Sequence, residues 1–221
     1  EFLHRRPGFE GRVAVFAAWE QFPWILNAPR AGILVNGGYE SLLVQPPAAD
    51  IELLNRLKAE TEYWEGEAFD SFIFRTALEY LRLHKPRVLA VLLGETDEWA
   101  HAGRYDLYLK AAHRFDQYTR ELWETLQQIP EYRGATTLIL ATDHGRGSGK
   151  KTWRSHGRRV PESQYIWMAF LGPGVRPLGL RARTQTVTQA QLAATIAGLL
   201  GEDFRTAVPG AAPPIEDVLP R

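Results

Sequence analysis

The 221-residue chain is expected to form an α/β fold, a mostly parallel sheet with helices on both faces, and three observations lead there. Apolar runs of strand length alternate with longer segments of helical periodicity, the order that builds a sheet covered by helices. The run over 88–93 is six consecutive apolar residues, the pattern of a parallel strand buried on both faces. Carboxylates and imidazoles gather just beyond such runs, where α/β enzymes place their chemistry.

Taken in order, 13–18 is a short apolar run rich in β-formers and reads as a buried strand. Pro23, Asn27, Pro29 and Gly32 break up the next segment, and Gly37-Gly38 and Pro46-Pro47 bracket a loop. Asp50 is placed to cap a helix through Ile51, Leu54 and Leu57 to Trp64, ended by Gly66. A second helix over 68–84 carries Phe69, Phe72, Ile73, Ala77, Tyr80 and Leu81 on one face and is closed by Pro86. After the strand at 88–93, the longest helix runs over 105–129, with Leu109, Ala112, Phe115, Tyr118, Leu122 and Leu126 at three and four spacing, and Pro130 stops it. Strands are expected at 136–142 and 165–171, and an amphipathic helix at 189–200 ends at Gly201. The tail, with Pro209, Pro213, Pro214 and Pro220, reads as an ordered-to-frayed surface segment.

The length suits one substantial domain, 1–221. Lys plus Arg equals Asp plus Glu at 26 each, so no global charge draws the chain to nucleic acid or to an anionic membrane, and any electrostatic function is local. No apolar run approaches the roughly 18 residues of a transmembrane helix, so no membrane segment is expected. With no cysteine, disulfides and thiolate ligands are excluded, and a metal site here would consist of imidazoles and carboxylates. The chain opens on Glu1 rather than Met, which reads as a piece of a longer protein.

Three short stretches carry the candidate chemistry. In Gly-Glu-Thr-Asp-Glu-Trp-Ala-His over 94–101, Asp97 and His101 are four apart, which on one helical turn puts both on the same face. The same spacing also occurs on solvated helix faces with no metal. Asp143 and His144 lie just past the apolar run Thr137-Leu138-Ile139-Leu140-Ala141, where the strand stops and neighbouring side chains can converge. His156, in Trp-Arg-Ser-His-Gly over 153–157, would by itself be an ordinary loop histidine. Together they give five nitrogen or oxygen donors behind successive strands, which points to a metal site.

Asp97-x-x-x-His101, Thr142-Asp143-His144-Gly145 and Ser155-His156-Gly157 resemble, in order and spacing, the metal-binding signatures of the alkaline phosphatase superfamily. The stretches over 166–174 and 189–196 are also similar to segments of that superfamily, which holds phosphatases, nucleotide pyrophosphatases/phosphodiesterases, sulfatases and phosphoglycerate-mutase-like enzymes. The resemblance implies an alkaline-phosphatase-like fold, a hydrolase of phosphate or sulfate esters, and two divalent cofactor ions, zinc first and manganese second. It assigns Asp97, His101 and His156 to one ion and Asp143 and His144 to the other. It also implies a small ester substrate as partner and a periplasmic or secreted location.

One departure is plain. The superfamily takes a further aspartate and a Ser or Thr nucleophile from near its N-terminus, yet no threonine precedes Thr61, no serine precedes Ser41, and no early strand ends in aspartate. The expectation is a chain that lacks the nucleophile segment, binds metal and turns over little ester. The alternative is a non-catalytic metal-binding or interaction domain of the same fold.

Between Arg146 and Arg159 lie six basic residues and no acidic one, and Lys150 and Arg154 are the candidates to meet an anionic substrate. A solvated basic loop has the same composition. His113, beside Phe115, is expected to pack, and Trp99, Trp153 and Trp167, which flank the ligand candidates, wall the site or fill core, with core the expectation. Residues over 50–84, between the first strand and the strand at 88–93, are where specificity is expected to reside.

Overall fold

The computed structural model describes residues 1–181 and 185–220 of a chain that is mixed α/β. It divides into two compact units, Glu1–Thr119 and Arg120–Arg221.

The first unit is built on a parallel three-stranded sheet of β1 (Val13–Ala17), β2 (Leu34–Gly37) and β3 (Val88–Leu92), in the order β2-β1-β3. Ala14 pairs with Leu34 on one side, and Ala17 with Leu92 on the other. All three strands therefore end on the same edge. Both faces of central β1 are buried, Ala14 and Phe16 on one and Val15 and Ala17 on the other. Helices α1 (Phe22–Ile25) and α2 (Ala28–Ala31) connect β1 to β2, and α3 (Ala49–Glu60) and α4 (Asp70–His84) connect β2 to β3. Ile51 of α3 and Ile73, Ala77 and Tyr80 of α4 pack with Ala14, Phe16 and Ala18 as the core, and the Phe16 and Tyr80 rings lie 5.3 Å apart.

β2 is an element the sequence pattern does not single out, since its four residues lie in the short span between the breaker Gly32 and the turn at Gly38. The helix expected to reach Trp64 stops at Glu60. Asp50 sits inside its first turn, where a carboxylate suits the helix dipole, and the cap position is Ala48. Trp64 instead forms a bridge with Glu67. Behind β2, fully buried Lys58 donates from Nζ to the Glu40 carbonyl at 2.6 Å and to Asn36 Oδ1 at 3.5 Å, and burial pushes its pKa down to about 8. β3 leads through Leu93 and Gly94 into the seven-residue α5 (Glu95–His101), and α6 (Tyr105–Gln128) comes next.

In the second unit β4 (Leu138–Ala141) and β5 (Met168–Leu171) pair antiparallel, Leu138 opposite Leu171. This pair is antiparallel, whereas the sheet as a whole is expected from the sequence to be mostly parallel. The connection from Thr142 to Trp167 contains only short 3-10 turns, and a parallel return needs a crossover element, usually a helix. The segment at 189–200 is a 3-10 turn capped by a Thr188–Gln191 box, continuing into α7 (Leu192–Leu199). The tail, expected to run from ordered to frayed along the surface, is ordered and buried at Ile215 and Val218. Ile215 N donates to the hydroxyl of buried Thr195 at 2.9 Å.

Candidate metal centre

Asp97 and His101 belong to the first unit; Asp143, His144 and His156 belong to the second.

In the first unit the sheet edge where the strands end delivers α5. Asp97 and His101 are one turn apart on it, and Asp97 Oδ2 lies 3.1 Å from His101 Nε2, with the two side chains 33% and 44% exposed. Two donors each about 2.0–2.1 Å from a tetrahedral ion lie roughly 3.3 Å apart. The pair thus has the spacing of two ligands of one ion, and it is also within reach of an ordinary hydrogen bond.

The opposite face of α5 is fastened by buried charge. Glu95, 2% exposed, accepts two contacts from Arg114 Nη1 at 3.1 Å each, one from Trp99 Nε1 at 3.2 Å and one from the Asp70 amide at 3.0 Å. Asp70, 3% exposed at the start of α4, accepts from the amides of Gly94 at 2.7 Å and Glu95 at 3.2 Å. Burial, reinforced by the Glu95 charge, pushes the Asp70 carboxyl up to about 7. Sequence reasoning missed this arrangement. Glu95 stands within the motif, but its partners come from α4 and α6, and no local spacing announces them.

In the second unit the chain leaves β4 at Ala141 and turns at Asp143. The Asp143 carboxylate accepts from the His144 amide at 2.9 Å and has its other oxygen 3.5 Å from His144 Nε2. The His144 and His156 rings stack with centroids 3.8 Å apart and planes 13° from parallel, so two imidazoles and a carboxylate gather past the strand end. Gly145 explains the fit of this turn. A Cβ on it would meet the carbonyl oxygens of Tyr165 at 2.4 Å and Glu162 at 2.6 Å, while its own amide donates to the Ser163 carbonyl at 2.8 Å.

Lys150 and Arg154 are exposed on the loop beyond this turn. The loop holds itself together through Gly147 N to Ser155 O at 3.2 Å and Trp153 N to Gly149 O at 3.0 Å. Arg146 is partly buried there, its pKa lowered by burial, and its Nη1 points to the Trp153 carbonyl at 3.5 Å. The aromatic expectations need correcting. Trp167 is half exposed, and Trp99 is only partly buried, in a cluster with Tyr63 and Trp64 at 5.7 and 4.7 Å. His113 is exposed on α6 rather than packed.

Donor chemistry fits a divalent ion, since carboxylate and imidazole pairs stand at ligand spacing in each unit and hard or borderline ions take such donors. No family model, curated protein or solved structure matches the chain. Among the described residues no helix is long and apolar enough to cross a membrane.

Proposed function

We propose that this chain is the metal-binding part of a hydrolase of phosphate or sulfate esters, of alkaline phosphatase type in fold and chemistry. The reading rests on the sequence motifs. One observation supports it most: in each unit, a carboxylate and an imidazole stand past the end of a strand with donor atoms 3.1 and 3.5 Å apart. Asp97, His101 and His156 would hold one ion and Asp143 and His144 a second, zinc or manganese. Such ions supply charge that polarises the ester and offsets the negative charge on its leaving oxygen.

The chain's own residues would do the rest. Asp97 and Asp143 bring the negative charge that holds the cations, and the three histidines bring nitrogen donors, His101 from α5 and His144 and His156 from the turns beyond β4. Lys150 and Arg154 add positive charge on an exposed loop, which raises the local concentration of an anionic ester.

The test is hydrolysis of p-nitrophenyl phosphate, bis-p-nitrophenyl phosphate and p-nitrophenyl sulfate, with phosphate and sulfate binding measured alongside, in metal-free, zinc-loaded and manganese-loaded protein. The expected outcome is metal-dependent binding of inorganic phosphate or sulfate with little or no ester turnover, the binding reduced about tenfold or more by His101→Ala. Loaded protein that neither hydrolyses an ester nor binds an anion would leave a non-catalytic metal-binding domain.

A further inference from the structure

We propose that Asp70, Glu95 and Arg114 are positioning residues that set the rotation of α5 and thereby aim Asp97 and His101 at their ion. The inference rests on the reading of α5 as a ligand helix. It adds residues that lie outside the donor set.

Seven residues are too few for a helix to hold itself in water, where isolated helices need about 12–15. Gly94, at its N-cap, has no side chain to accept the first amides, so α5 must be fixed from outside. Asp70 does this in trans, accepting from both Gly94 N and Glu95 N. Glu95 returns the contact by accepting from the Asp70 amide in the first turn of α4. The two helix starts therefore cap each other. Neither can slide along its axis without breaking the other's hydrogen bonds.

Rotation is fixed by the second half of the network. Glu95 and Trp99 are four apart, as are Asp97 and His101, and the two pairs are offset by two residues, about 200° around a helix. Arg114 and Trp99 grip the Glu95 carboxylate, so the ligand pair is held on the far side of the helix, facing outward. Ligands need placement to within roughly 0.5 Å, and such placement comes from supporting groups with their own locked geometry. The arrangement is a costly way to obtain stability alone, because the Glu95 and Asp70 carboxylates are both buried while one guanidinium pairs with Glu95, and apolar packing commonly stabilises a fold as well or better. Directional bonds to fixed partners give it an aim that apolar packing lacks.

The test compares wild type with Glu95→Gln and Asp70→Asn, using cobalt(II) as probe. Glu95→Gln keeps the shape and the acceptor oxygen but weakens the Arg114 contact. Asp70→Asn keeps an acceptor for the two amides and guards against a variant that fails to fold. Circular dichroism checks the fold, hydrogen exchange follows the α5 amides in metal-free protein, and the visible cobalt spectrum reports ligand geometry. The expected result is faster α5 exchange in a folded Glu95→Gln protein, a changed cobalt spectrum and cobalt affinity lower by about tenfold or more. Unchanged exchange, spectrum and affinity would overturn the positioning role while leaving the ligand reading intact. Faster exchange in a chain whose wild type takes up no cobalt would overturn both, the ligand reading first.

Discussion

Asp70 sits in an environment far from that of its free side chain, and its titration is a direct consequence. Below pH 3.8 the folded and unfolded chains both carry its proton. Between 3.8 and about 7 only the folded chain does, so stability falls as pH rises through that window and levels off above it. At ~1.4 kcal/mol for each pKa unit, the shift from 3.8 to about 7 corresponds to roughly 4 kcal/mol. Asp70→Asn should flatten this decline, and urea unfolding at pH 4, 5.5, 7 and 8 measures it; an equally steep decline in the variant would assign the slope to other groups. The ligand candidates were legible at this scale, because Asp97 and His101 need only their own helical turn to meet. Asp70 and Arg114 were not legible. Their meaning lies in Glu95, which the chain brings to them only once α4, α5 and α6 are in place.

Elements whose periodicity is long read well, and elements defined by partners read poorly. The 24-residue α6 and the 15-residue α4 sit close to where their apolar faces and the prolines beyond them set them. β2, with four residues, is recognisable only through its pairing with β1, and the direction of β5 depends on a connection that lacks a crossover helix. The turn after β4 gives the element-scale prediction. Gly145→Ala would drive a methyl into the Tyr165 and Glu162 carbonyls, which are backbone and cannot swing aside. The expected cost is about 1–3 kcal/mol, as for other overpacked sites, with displacement of the adjacent His144. Thermal unfolding with and without zinc checks it. A variant as stable as wild type, with the same shift on adding zinc, would show that the turn yields freely.

Across the whole molecule, the α/β class and a parallel sheet were legible in the sequence, while the division into two compact units was not, since nothing in composition or linker chemistry marks residue 119 as a boundary. The proposed donors are distributed between those units, and it is the resemblance of the motifs to the alkaline phosphatase superfamily that implies one ion for His156, Asp97 and His101. The central proposal is therefore that His101 and His156 are both ligands of a bound zinc ion. Calorimetric titration of zinc into chelator-treated protein, comparing wild type with His101→Ala and His156→Ala, tests it most directly. The account predicts a tight zinc-binding event in wild type that both substitutions weaken by about a hundredfold or more, because each removes one of three ligands and an open three-ligand site has none to spare. Absence of zinc uptake by wild type, or a tight event that survives either substitution unchanged, would contradict it.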